Sequence, residues 1–128
     1  MEDFIIETVD VLGESYIKIV GSNGANSPVV DYVLLNPQSP LVLRLDAHTI
    51  EADVDGDGIK EIVSSVGTAA GTTIYQLHDK QIVASNLNEL MKAQVVNYDL
   101  NTNTFQAQST NNELTKWKIQ GDRLHLVE

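Results

Sequence analysis

The chain has no cysteine. That excludes disulfides, thiolate metal sites and a cysteine nucleophile, and it leaves the compartment open. Aromatic residues are scarce, at 5% of the chain, so a core must be built mainly from Val, Ile and Leu. Bases are scarce as well. Eight Lys and Arg stand against 18 Asp and Glu, for a net charge of −10. Such a surface is unsuited to nucleic acid or to a polybasic membrane contact. It favours solubility and draws cations, and most of its acids are expected to be solvated. No apolar run is long enough to span a membrane. The opening Met1-Glu2-Asp3-Phe4-Ile5-Ile6 lacks both the basic and the long apolar stretch of a secretory leader. The expectation is a cytosolic protein, or a mature or excerpted chain without its leader.

What is present points to strands. The 128 residues suit one domain, and a domain of this size buries roughly 65–70% of its unfolded surface. Short β-branched runs alternate with turn residues, predicting strands near 4–9, 16–20, 29–35, 41–45, 49–52, 61–66, 72–77, 81–85, 93–98, 104–108, 114–119 and 123–127. Between them lie Gly21-Ser22-Asn23-Gly24, Asn36-Pro37-Gln38-Ser39-Pro40, His78-Asp79-Lys80, Asn101-Thr102-Asn103 and Gln120-Gly121-Asp122, all turn compositions. One segment can be helical. Leu87, Leu90 and Met91 fall at i, i+3 and i+4 within 86–93, with Asn86 or Asn88 as the cap.

The chain also resembles itself. Val9-Asp10-Val11-Leu12-Gly13-Glu14 aligns with Ala52-Asp53-Val54-Asp55-Gly56-Asp57 at an offset of 43 residues. Ile19-Val20-Gly21-Ser22 then meets Ile62-Val63-Ser64-Ser65, and Tyr32-Val33-Leu34 meets Tyr75-Gln76-Leu77. A more degenerate third copy places Phe105 43 residues after Ile62, and Trp117 42 after Tyr75. Three units, approximately 1–43, 44–86 and 87–128, fill the chain as a single all-β domain. Four short strands per unit is the size of an antiparallel propeller blade.

The most specific chemistry lies in Asp53-Val54-Asp55-Gly56-Asp57-Gly58-Ile59-Lys60-Glu61. Asp53, Asp55 and Asp57 alternate, so their side chains can turn toward one centre in a tight loop. Gly56 and Gly58 permit the bend. Ile59 can offer its main-chain carbonyl, and Glu61 can reach back with a carboxylate. Calcium takes 6–8 oxygen ligands, and it would relieve the mutual repulsion of the carboxylates. A helix-flanked EF-hand is disfavoured. It wants a bidentate Glu at the twelfth position, where this chain has Ser64, and the residues after Glu61 read as a strand. The alternative is an Asp/Gly turn held by Asx hydrogen bonds.

The pattern Asp-x-Asp-Gly-Asp-Gly-x-x-Glu, leading into Ile62-Val63-Ser64, resembles the loop of FG-GAP and VCBS repeats, the blades of integrin-α-like β-propellers. The resemblance implies carboxylate ligands at Asp53, Asp55, Asp57 and Glu61, a main-chain ligand at Ile59, and bound calcium. It further implies a non-catalytic adhesion, binding or scaffold module of an exported protein, extracellular or in the cell envelope, with a protein or carbohydrate ligand. The Phe-Gly and Gly-Ala-Pro signatures of the integrin family are not visible. Three units are also fewer than the 4–8 blades of a closed propeller, which leaves an excerpt of a larger propeller, a partial propeller that self-associates through edge strands, or a sandwich that only borrows the loop. The sister loops are degraded: the first has Asp10 and Glu14 but Leu12 between them, and the third has Asp99, Asn101 and Asn103 without the glycine.

Other residues carry less. His48, His78 and His125 show no ligand spacing. The 21–24 loop lacks the ending of a phosphate loop, and Ser15, Ser64 and Ser65 lie outside any nucleophile elbow. Tyr32, Tyr75 and Trp117 offer two readings, a ligand-stacking surface or packing against a neighbouring sheet. The alternative to a binding module is a polysaccharide-directed hydrolase or carbohydrate-binding domain on the same fold, with paired carboxylates set by three-dimensional distance.

Overall fold

The computed structural model describes residues 4–22, 28–34, 42–66, 71–79, 81–120 and 123–127. The strand ends at Leu35 and Leu41, and the turn residues at 23–24, 36–40, 80 and 121–122, lie outside the described residues. Among the described residues, twelve strands occur in chain order: β1 (Ile5–Val11), β2 (Glu14–Ser22), β3 (Pro28–Leu34), β4 (Val42–Leu45), β5 (His48–Ala52), β6 (Glu61–Val66), β7 (Gly71–His78), β8 (Gln81–Asn86), β9 (Val95–Asp99), β10 (Thr104–Gln108), β11 (Leu114–Gln120) and β12 (Arg123–Val127). Each expected strand is found, with described ends within two residues of the sequence reading. Among the described residues, no helix is long and apolar enough to cross a membrane.

Every four successive strands form one antiparallel sheet. The first sheet runs β1-β2-β3-β4, the central one β5-β6-β7-β8, and the third β9-β10-β11-β12. None closes into a barrel. Burial explains the different sequence textures of these sheets. On β6 both Ile62 and Val63 are buried, although neighbouring side chains of a strand point to opposite faces. Ile62 joins a core with Val11, Tyr16, Val30, Tyr32 and Leu45 of the first sheet. Val63 joins a second core with Ala52 and Ile74 of its own sheet and Val96, Phe105, Ala107 and Ile119 of the third sheet. The central sheet is thus covered on both faces, and its strand reads as a continuous apolar run. In contrast, β11 alternates exposed Lys116 and Lys118 with the more buried Trp117 and Ile119, because one of its faces meets water.

Two polar joints set the sheets against each other. Between the first and central sheets, Lys18 Nζ lies 2.7 Å from Glu51 Oε2. The Tyr32 hydroxyl donates to the same Glu51 oxygen and lies 2.8 Å from Thr49 Oγ1. Burial, then the hydrogen bond to Glu51, pushes the Tyr32 hydroxyl far above its ordinary range. Between the central and third sheets, the buried Thr72 donates from Oγ1 to the Val96 carbonyl at 2.6 Å. The expected helix sits at this second joint as α1 (Leu87–Met91). Asn86 caps it by accepting from the Glu89 amide, and Lys92 ends it in the left-handed conformation at φ 51°. Leu87 enters the core, and Asn88 Oδ1 accepts the Thr72 amide at 2.9 Å.

The ladder registers change one feature of the self-alignment. Trp117 lies opposite Phe105 as Tyr75 lies opposite Ile62, so the degenerate third copy matches the second strand for strand. Tyr32 instead lies opposite Lys18, while Asp31 lies opposite Ile19. The 43-residue offset therefore holds for Ile19 and Ile62 and slips by one at the tyrosines. A one-residue slip reverses the face. Tyr32 faces the central sheet and Tyr75 faces back toward the first, both within the same core.

Candidate metal centre

Strands β5 and β6 are paired up to Ala52 opposite Glu61, and residues 53–60 form the turn between them. Gly56 and Gly58 both adopt positive φ, 75° and 90°, where a side chain would be strained. Val54 interrupts the polar loop and is 2% exposed, in the core shared with the third sheet. This anchor fixes the loop from below and leaves the aspartates above it.

The aspartates organise the turn through main-chain amides. Asp53 Oδ1 accepts from the Asp57 amide at 3.1 Å, and Asp53 Oδ2 from the Gly58 amide at 2.9 Å. Asp55 Oδ1 accepts from the Asp57 amide at 3.2 Å, and Asp57 Oδ1 from the Ile59 amide at 2.8 Å. Glu61, at the start of β6, is 3% exposed and accepts from the Val54 amide at 3.0 Å. One oxygen from each of Asp53, Asp55, Asp57 and Glu61 lies within 4.8 Å of all the others, a group that can hold a metal ion. Ile59 is exposed at the end of the same turn.

Both neighbouring sheets grip the loop. The Leu12 amide, in the β1–β2 turn, donates to the Lys60 carbonyl at 2.8 Å. Asn103, in the β9–β10 turn, donates from Nδ2 to the Asp53 carbonyl at 3.0 Å and accepts from the Tyr98 hydroxyl. The two degraded sister loops thus clamp the intact one. Asp99 and Asn101 of the third loop make an Asx turn of their own, the Asn101 amide donating to Asp99 at 2.9 Å. By sequence Asn103 reads as a member of a degraded ligand set; in the fold it is a brace on the acidic turn. Its signal is its place beside Thr104 at a strand entry, where Asn tolerates the φ of 55° found there.

The electrostatics are unbalanced. Two like charges about 4.8 Å apart repel by roughly 3 kcal/mol at an effective dielectric near 20. Burial pushes the Glu61 carboxyl up to about 8, and the negative charge of Asp55 adds to the shift; the Val54 amide opposes them. Burial likewise raises Asp55 to about 6, helped by its contact with Asp57. At Asp53 burial acts upward, but hydrogen bonds from the Gly58 amide, Asp55 and the Gly56 and Asp57 amides outweigh it, so this carboxyl falls below its ordinary value. Among the described residues the ion pairs are Lys18–Glu51 and Arg44–Asp31, and neither reaches the cluster. The carboxylates open onto a cleft of about 400 Å³ that also meets Gln76, Leu77 and His78.

The three aromatic candidates lie elsewhere. Tyr32 is fully buried, Tyr75 packs half-buried in the same core, and Trp117 packs half-buried in the core of the third sheet. They fill the layers between sheets, and Tyr32 has no surface to offer a ligand.

The fold and site together define an all-β chain of three four-stranded antiparallel sheets bearing an oxygen-only acidic cluster that can hold a metal ion. No family model, curated protein or solved structure matches it.

Proposed function

We propose that the chain is a calcium-stabilised β-sheet module, with a binding or scaffold role and no catalysis of its own. Glu61 carries this reading. The residue is 3% exposed, three further carboxylates lie within 4.8 Å, and no lysine or arginine among the described residues pairs with it. An isolated buried charge of this kind is costly, and a divalent cation removes the cost. An all-oxygen donor set suits a hard ion. A loop that gathers several carboxylates and a main-chain carbonyl suits calcium, which takes 6–8 oxygen ligands. Asp53, Asp55, Asp57 and Glu61 supply side-chain oxygens, and Ile59 adds its carbonyl.

The ion's role is structural. It locks a turn that the Leu12 and Asn103 turns already hold, and so ties the central sheet to both neighbours. In this reading the three sheets are propeller-like blades of the FG-GAP or VCBS kind, arranged as a partial propeller. An extracellular or cell-envelope setting, with millimolar calcium, suits a site of modest affinity, and protein or carbohydrate is the class of ligand such a module takes. The test is thermal unfolding in calcium and in chelator. Calcium should raise the melting temperature by several degrees, and Asp55→Ala should remove most of that rise. Superimposable curves in the two buffers would sink the proposal.

A further inference from the structure

Six polar or charged residues are buried among the described residues: Lys18, Glu61, Ser64, Thr72, Gln76 and Thr104. Five of them have a partner for the side chain. Lys18 meets Glu51, and Glu61 accepts from the Val54 amide. Ser64 donates to the Thr73 carbonyl, Thr72 donates to the Val96 carbonyl, and Thr104 shares a hydrogen bond with Thr102. Gln76 is the exception. It is 7% exposed, and among the described residues its side-chain amide has no hydrogen-bond partner. The amide is not sealed in, because Gln76 lines the cleft with Asp55, Asp57, Ile59 and Glu61. A second hollow lies against it, walled by Ile74, Leu87, Ile119 and Leu124 together with Ser85 and Arg123, neither of which bonds the amide. The ladder explains the placement. Ile62 pairs with Tyr75, so the next rung sets Glu61 against Gln76. Both then share the face toward the third sheet with Val63 and Ile74.

We propose that the side-chain carbonyl of Gln76 is a further ligand to the ion, so that β7 completes a site begun by the β5–β6 turn. The inference rests on the calcium reading and adds a donor from outside the acidic loop. Ligand number, reach and charge all favour it. Calcium takes 6–8 oxygens, and amide carbonyls of Asn and Gln are among its ordinary ligands. The turn offers one oxygen each from Asp53, Asp55, Asp57 and Glu61, and the Ile59 carbonyl, which leaves the shell short. Glu61 is poorly placed to give a second oxygen, since its Oε1 already accepts from the Val54 amide. Residues directly opposite on neighbouring strands have Cβ atoms about 5 Å apart. Glu and Gln side chains have the same length, so those of Glu61 and Gln76 can end at one centre. The carboxylates already outweigh the charge of a divalent ion. A neutral amide fills a position without adding to their repulsion. A buried amide without a partner is itself costly, and the ion would remove that cost.

The experiment counts the water left on the bound ion. Europium(III), a hard ion that seeks oxygen ligands, stands in for calcium, and its luminescence decay in light and heavy water reports how many water molecules it holds. The whole chain is compared as wild type, Gln76→Met and Gln76→Glu, with displacement by calcium showing that both ions use one site. Methionine keeps the side-chain length but offers only a soft sulfur, whereas glutamate restores an oxygen. Gln76→Met should hold about one more water than the wild type and bind calcium roughly tenfold more weakly. Gln76→Glu should match the wild-type water count. In chelator Gln76→Met should melt no lower than the wild type, because the unpartnered amide is gone. An equal water count in wild type and Gln76→Met, with calcium displacing europium from both, overturns this inference and leaves the calcium reading standing. So does an equal loss of stability by Gln76→Met in calcium and in chelator, which marks a packing role alone. A wild type from which calcium displaces no europium sinks the calcium reading, and this inference with it.

Discussion

Glu51 and Glu61 lie almost opposite each other on the β5–β6 ladder, one rung apart, and the fold treats them in opposite ways. Glu51 faces the first sheet, where Lys18 meets it at 2.7 Å and Tyr32 donates to it. Glu61 faces the third sheet and meets three aspartates and one amide. Both are carboxylates set between stacked sheets. One brings its cation within the chain; the other must take a cation from solution or hold a proton. The difference gives the two joints, Lys18–Glu51 and the acidic β5–β6 turn, different partners. The first carries its own cation within the chain, while the turn, held by both neighbouring sheets, gathers carboxylates that can hold a metal ion.

The hardest test of that contrast removes the internal cation. Lys18→Met should cost about 3–5 kcal/mol, since it leaves Glu51 without its charged partner in a largely buried site. The loss, read from urea denaturation, should be the same in calcium and in chelator. Adding Glu51→Leu to it should restore much of the stability, because an apolar pair then replaces the ionic one. A calcium-dependent loss in Lys18→Met would show that the two joints are coupled and break the contrast.

A smaller effect, opposite in sign between buffers, is expected at Glu61. The Glu61→Gln side chain keeps an acceptor for the Val54 amide and removes the charge. In calcium it should destabilise by about 2 kcal/mol, as a ligand is lost. In chelator near pH 8 it should stabilise by a similar amount. The reason is linkage. The folded carboxyl holds its proton up to about 8, the unfolded one only to 4.5, so the ion-free protein loses stability as pH rises through that window. Asp55, raised to about 6 from 3.8, adds to the loss at the acidic end. Melting temperatures of the wild type in chelator should therefore fall from pH 5 to 8, and calcium should flatten the decline. A flat profile in chelator would mean that Glu61 ionises without cost.

The strands and the acidic loop were legible because their signals are local. β-Branched runs, Asn and Gly turns, the Asn86 cap and the alternation of Asp53, Asp55 and Asp57 each lie within a dozen residues. Stacking was not legible, because it depends on which face of a strand meets which sheet. Tyr32 and Tyr75 align by sequence at 43 residues, yet a one-residue slip in the β2–β3 register sends them to opposite faces of their sheets. The Lys18–Glu51 joint does have a local trace. Lys18 interrupts Tyr16-Ile17-Lys18-Ile19-Val20, and Glu51 interrupts Thr49-Ile50-Glu51-Ala52. Two opposite charges in strand interiors, each flanked by apolar neighbours, suggest partners. The grip of Leu12 and Asn103 on the loop left less: each lies in a degraded sister loop, and Asn103 stands at a strand entry.

That grip supplies the next step down in size. Asn103→Ala should cost about 1 kcal/mol, from the lost bond to the Asp53 carbonyl and the lost acceptor for Tyr98. It should also weaken calcium several-fold without removing the response. Asn103→Gly keeps the positive φ open and separates the side chain's contribution from backbone strain. If calcium affinity is unchanged in both, the third sheet does not preorganise the loop.

The smallest effect is expected at Asp10, which occupies in the first unit the place of Asp53 in the second. Among the described residues its carboxylate accepts from the exposed Ser15 hydroxyl, at 2.8 Å. The residue in the position of Asp55 is Leu12, buried at 1% with a positive φ of 54°, so the turn closes on the core instead of on an ion. Asp10→Ala should change stability by less than about 0.5 kcal/mol, as exposed substitutions do, and should leave the calcium-dependent rise in melting temperature intact. Calcium titrations of Asp10→Ala and Asp53→Ala decide the point. Equal losses would place the ion between the two turns, in the cleft that Asp10, Glu14 and Gly58 line together, and would move the site from one loop to the seam of two sheets.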